Sequence, residues 1–396
     1  MAGRDVPPGQ RLVLTLRRRP RLRAGLVQLG YVAAAAAAAV LTADIHTGPQ
    51  VNAARTSNLL FAVGGGIISL VAVVFSLLFL TVQFASTTLS PRLNLFRDKP
   101  LVWHAFGLFI GVFVFATTAA LRTSTREQMS VIIPIATIVL ALAAMAVARN
   151  LQMSAFRSVQ VGHSVQEITR RGRAVIDQLY EPRTVKTPAP STPAKAEATV
   201  EVRWLGDDGY IRQVDVQRLF HNAIQHRGTI QLQHRPGQYV RHGDVIFRHN
   251  IDPGDADDDD LLRHIEIGPD RTWEQDPLFA FRLLVDIGLR AQSSAVNDPA
   301  TCRHTIEAVG GLLRYLADRH LTIGDITDPV THARLLLRPV TWEEYVAAAV
   351  DELIEVGRGT ASIAARISDV LEDLHHAVPA DRRPEIIQRL QLLRPP

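Results

Sequence analysis

A single cysteine, Cys302, in 396 residues leaves no partner for an intrachain disulfide, a paired-thiol redox centre or a cysteine zinc cluster. A reducing compartment suits such a chain. Catalytic signatures are equally scarce. There is no Walker phosphate loop, no G-x-S-x-G nucleophile elbow and no H-E-x-x-H zinc helix, so the sequence reads as that of a non-enzyme needing no cofactor and no metal. The third scarcity is local. Four apolar runs, at about 24–43, 59–83, 101–121 and 131–147, contain no Asp, Glu, Lys or Arg. Transport of ions or protons often uses such groups within the bilayer, so their lack counts against a proton-coupled transporter more than against a passive pore.

What is present in those runs is length. At 1.5 Å of rise per residue, about 20 helical residues match a hydrocarbon core of about 30 Å, so four transmembrane helices are expected. The charge pattern gives their orientation. Arg4, Arg11, Arg17, Arg18, Arg19, Arg21 and Arg23 crowd the first 23 residues against one acid, Asp5, which holds that end in the cytoplasm. Arg92, Arg97 and Lys99 then fall on the inner side, as do Arg149 and Arg157 after the fourth run. The outer connectors carry only Arg55, and Arg122 with Arg126. The basic end is read as a topology determinant and anionic-lipid contact rather than a nucleic-acid site. A cleaved signal peptide competes for the first run, but the run is too long for that, and an uncleaved helix is favoured. Both chain ends are thereby expected on the cytoplasmic side of the plasma membrane.

Small and polar residues interrupt the runs at two kinds of place. Gly64, Gly65 and Gly66 open the second, and Gly107 and Gly111 stand in G-x-x-x-G spacing in the third, marking faces for close helix approach within a bundle or between subunits. At the inner end of the second, Gln83, Ser86, Thr87 and Ser90 recur at spacings of three and four and share one helix face. That stripe either reaches the headgroups or lines a vestibule or pore.

After the last run the sequence changes character. Residues 151–180 read as a loosely amphipathic juxtamembrane helix, and 181–198 have the proline-rich composition of a linker. From 199 to 268 alternation of period two predicts a small β-rich module, starting with a hairpin turned at Asp207, Asp208 and Gly209. The spacing P-G-x-x-V-x-x-G-D at 236–244 resembles the turns of small barrels of the biotinyl and lipoyl kind, without a carrier lysine, so the module is expected to be β-barrel-like. Asp252, Asp255 and the four aspartates from Asp257 read as a solvated acidic loop, and the nearby histidines show no metal spacing. From 269 to 396 the pattern is helical. Asp276 before Pro277, and Asp298 before Pro299, each predict an N-cap carboxylate with proline at the first helical position. Asp286 and Arg290, four apart, are positioned to pair on one face. Thr341 and Glu344 form a capping-box sequence. Between the two Asp-Pro starts, Arg271, Thr272, Asn297 and Thr301 are denser in polarity than capping requires. Two helix N-termini meeting there suit an anion or small ligand, with Asp276, Asp286, Arg290 and Asp298 around it.

Two of these stretches carry a likeness. A-S-T-T-L-S-P-R at 85–92 with F-R-D at 96–98 resembles a signature of domain-of-unknown-function family 2254, bacterial predicted membrane proteins. I-G-P-D-R-T-W-E-Q-D-P at 267–277, L-V-D-I-G-L-R-A at 284–291 and A-V-N-D-P-A-T at 295–301 resemble that family's cytoplasmic motif. The resemblance implies four spans and a cytoplasmic C-terminal half, and no established activity. The expected fold is thus an α-helical membrane domain over 24–150 plus a cytoplasmic α+β domain whose C-terminal part is helical. The expected function is an oligomeric channel or passive transporter with a cytoplasmic gate or sensor. A membrane-anchored scaffold or sensor without transport is the alternative.

Overall fold

The computed structural model describes residues 20–44, 48–88, 100–183, 199–252, 257–321 and 326–393, with backbone alone at 20–24, 26, 84–88, 100 and 157–159. The described residues divide into two compact units, one ending at Ser164 and the other beginning at Val165.

In the first unit the apolar runs become α1 (Pro20–Ala43), α2 (Ala53–Thr88), α3 (Pro100–Thr123) and α4 (Ile132–Val159). Three contain stretches long and apolar enough to cross a bilayer, namely Ala53–Gln83, Leu101–Thr123 and Ile132–Phe156. Helix α1 falls short of that standard. Its described apolar part, Val27–Ala43, is only 17 residues, and its seven consecutive alanines carry little hydrophobic surface. It leans instead on α3, where Ala39 is buried with Leu60, Phe115 and Ala119. Helix α3 also packs against α2 and α4. Strands β1 (Gln50–Asn52) and β2 (Gln128–Ser130) pair antiparallel, with Val51 opposite Met129. That pairing joins the two connectors which the charge pattern assigns to one side. Three threonine hydroxyls within the spans bond to their own helices: Thr81 to the Leu77 carbonyl at 2.7 Å, Thr117 to Phe113 at 2.8 Å and Thr137 to Ile133 at 2.9 Å. None needs a polar lumen.

The second unit opens within α5 (Val161–Leu179), whose apolar side chains Val165, Ile168, Val175 and Ile176 are buried. Its strands are β3 (Val200–Arg203), β4 (Gly209–Val214), β5 (Thr229–Leu232), β6 (Tyr239–Val240), β7 (Val245–His249), β8 (Ile265–Gly268), β9 (Ile326–Thr327) and β10 (Arg334–Leu336). They sort into a mostly antiparallel five-stranded sheet, β3-β7-β5-β10-β9, with β5 and β10 parallel, and a three-stranded antiparallel sheet, β6-β4-β8. A shared core of Val202, Ile211, Leu219, Ile230, Phe247 and Leu335 lies between strands and α6 (Val216–Gln225).

Two expectations are corrected here. No closed barrel forms among the described residues, because β3 and β4 separate into different sheets and the larger sheet recruits β9 and β10 from beyond residue 268. The hairpin of β3 with β4 fails for the same reason. A two-residue hairpin turn needs positive φ, which Gly209 does not adopt. What Gly209 provides is clearance, since a Cβ there would stand 2.8 Å from the Gly268 carbonyl oxygen on the neighbouring strand β8.

The helical remainder comprises α7 (Asp258–Arg263), α8 (Leu278–Ala291), α9 (Pro299–Ala317), α10 (Trp342–Gly357), α11 (Ala361–Ala377) and α12 (Arg383–Leu393). Helix α8 is buried on most of its surface, packed by α9 and α10.

Candidate functional site

The segment before α8 is tied to strand β4 by side chains that imitate a strand. Gln275 donates to the Val214 carbonyl at 3.0 Å and accepts from the Val214 N–H at 2.9 Å, while Thr272 donates to the Arg212 carbonyl at 3.2 Å. This fixes Asp276, which is buried and takes a two-pronged grip from Arg271, Nε to Oδ2 at 2.7 Å and Nη2 to Oδ1 at 2.9 Å. The helix is assigned from Leu278, with Pro277 before it in helical geometry and offering no side chain to cap. The Asp276 carboxyl also feels the Phe279 backbone N–H in the first turn, so it serves the helix start and Arg271 together. The backbone of Gly237 comes right up to the carboxylate. Its φ is +84°, and a Cβ would lie 2.1 Å from Asp276 Oδ2, so only glycine fits. Burial pushes the Asp276 carboxyl up to about 6, against the opposing pull of the Arg271 guanidinium.

Beside Gly237, Arg235 reaches across to α10, giving Nη1 to both oxygens of Glu344 at 3.0 Å. Glu344 also completes the capping box, accepting from the Thr341 N–H at 2.9 Å. Burial opposes ionisation of Glu344, yet these donors hold its carboxyl below the usual range. One residue further, the Tyr345 hydroxyl meets that of Tyr180 at 2.8 Å. Both rings are buried, which raises Tyr180 to about 12 and Tyr345 well above the ordinary phenol value. Arg382 is the third guanidinium nearby. It is 6% exposed, stacks 4.8 Å over the Trp342 ring and donates to the Arg319 carbonyl, while its Nε and Nη1 have no partner. Burial draws its pKa down.

Between these groups lies a cavity of about 40 Å³. Leu179, Val214, Val216, Leu232, Leu337 and Val340 give it apolar walls, and Tyr180, Arg235, Gln275 and Arg338 its polar points. No carboxylate lines it. Arg338 is exposed and has no partner among the described residues.

The residues singled out in the sequence are thus dispersed. Arg271, Thr272 and Asp276 sit together beside the cavity without lining it. Asp298 caps α9 through the Thr301 N–H at 3.1 Å and hydroxyl at 2.6 Å, and Asn297 adopts φ +46° just before it. Asp286 pairs with Arg282, one turn earlier, at 2.7 Å, so the expected pair with Arg290 gives way. In the membrane unit, a Cβ at Gly64 would meet Phe113, Ala116 and Thr117, and one at Gly107 or Gly111 would meet Tyr31. Gly65 and Gly66 face open space. Gln83 is exposed at the end of the apolar stretch; Ser86 and Thr87 continue the helix with side chains outside the description, and Ser90 lies outside the described residues altogether. Among the described residues no group of three His, Cys, Asp or Glu is placed to hold a metal ion. His249 and His264 meet Asp258 and Asp260 instead, at 3.1 and 3.4 Å.

Residues 22–373 match the family described as Predicted membrane protein (DUF2254). The chain belongs to this family. Uncharacterised proteins of Mycobacterium bovis and of two Mycobacterium tuberculosis strains are 31% identical to it over 280 residues, 66% of this chain and 53% of theirs. The chain spans about half the length of the curated relatives it matches. No solved structure matches it.

Sequence reasoning missed Tyr180, Arg235, Arg338, Tyr345 and Arg382. Arg235 was hidden in a turn and Glu344 in a cap; each performs that local task and a distant one. An arginine directly before Pro-Gly was the one available hint.

Proposed function

We propose that this DUF2254 protein is a membrane-anchored sensor, in which the helical unit holds a cytoplasmic ligand-binding unit at the bilayer without conducting solute. The observation that carries this reading is the apolar cavity edged by guanidinium groups in the C-terminal unit. The self-bonded threonines of the spans support it, since a conducting path needs polar groups free to face water. On this reading α1 is a fourth span, made tolerable in lipid by its seat on α3, and both described ends face the cytoplasm. The role is binding rather than catalysis.

A channel is the second reading, favoured by the exposed Gln83 at the end of a long apolar helix. It requires several copies around a shared pore, because a lone four-helix bundle has little room for one. Reconstitution separates the two. Liposomes at high protein content stay as tight as empty ones if the protein is an anchor. Solute flux that falls when Gln83 or Thr87 is replaced by leucine would overturn the anchor in favour of the channel.

A further inference from the structure

Charge, size and wall chemistry together say what the cavity takes, and this step rests on the sensor reading above. We infer that it binds a small aliphatic carboxylate, whose anionic head meets Arg338 and Arg235 at the mouth and whose short tail lies between Val214, Val216 and Leu232. The polar points are donors or donor-acceptors, and no acidic side chain lines the space to repel an anion. Arg235 is 12% exposed and already held by Glu344, so it contributes a fixed, oriented guanidinium. Arg338 supplies the uncompensated charge.

Volume sets the tail. One water-sized group needs about 10–15 Å³, so the 40 Å³ available suits a short tail of a few carbons. Apolar walls reject a second charge at the tail end, which excludes dicarboxylates.

The test uses the full chain in detergent micelles, with butyrate as probe and butyramide as its neutral match, read by thermal shift and calorimetric titration at neutral pH. Butyrate raises the melting midpoint with concentration, as a ligand of the folded state must, and butyramide does so far less. Arg338→Gln, at an exposed loop position, weakens butyrate about ten- to a hundredfold while leaving the unliganded midpoint in place. Leu337→Trp, which fills the cavity, abolishes binding. Equal shifts with butyrate and butyramide overturn the anionic class and leave the sensor reading standing. Absence of any shift with either compound up to millimolar concentrations overturns the site, whereas the liposome tightness experiment bears on the anchor alone. Full affinity in Arg338→Gln also overturns the proposal.

Discussion

Two phenylalanines show how differently the two units are held. Phe281, on α8, is completely enclosed by neighbouring helices, while Phe75, on α2, is 61% exposed, as are Val73, Phe79 and Leu80 to similar degrees. Water would penalise the second arrangement by tens of Å² of apolar surface per residue. Lipid does not, and only small residues and the occasional aromatic need partners there. The C-terminal unit therefore follows the ordinary inside-out rule of globular proteins, and the helical unit follows the rules of a bilayer.

The largest expected effect compares these two rings. Phe281→Ala costs the folded protein about 3–5 kcal/mol in a melt or denaturant titration, while Phe75→Ala stays within about 1 kcal/mol. Similar losses would erase the distinction between the units. Next comes the buried carboxylate. Asp276 has a folded pKa of about 6 against an ordinary 3.8, so folding favours its protonated form. The stability it contributes is full below its unfolded value and drains as pH rises through the folded one, by up to about 3 kcal/mol. Asp276→Asn thus flattens the fall in melting midpoint between acid and neutral pH, and an unchanged slope would show that Arg271 keeps the carboxylate ionised throughout. Smaller is the effect at the tyrosine pair. Tyr345→Phe strands the Tyr180 hydroxyl in an enclosed place at about 1–3 kcal/mol, and adding Tyr180→Phe restores part of the loss. Additive losses in the double variant would mean the two hydroxyls do not act together. Smallest is the cap at Thr341, where alanine costs about 1 kcal/mol, measured by thermal unfolding.

Legibility in the sequence follows the distance between cause and effect. The spans in α2, α3 and α4 were readable because hydropathy is a property of the residues themselves. Helix α1 was harder to read, since an alanine run has the length of a span with little of its hydrophobicity and its described apolar part stops at 17 residues. Caps work over three residues, so Asp298 and Thr341 were recognisable. At Asp276 the Asp-Pro pattern said nothing of Arg271 or of the close backbone of Gly237, which hold the carboxylate from outside the helix. The barrel expectation failed because β10 joins β5 from about a hundred residues away. The cavity was invisible for a like reason. Tyr180 and Arg235, which line it, bond to Tyr345 and Glu344 at 165 and 109 positions away, and no local period links such positions.

Cysteine labelling puts lipid against water in one experiment. Cys302 is buried, so it gives a silent background on which a thiol can be placed at Phe75 or at Leu205, both of them exposed. In permeabilised membranes treated with a water-soluble maleimide, the account predicts rapid labelling of Leu205→Cys and almost none of Phe75→Cys, because a thiolate does not form in hydrocarbon. Equal labelling at the two positions would place α2 in water and contradict the division on which everything else rests.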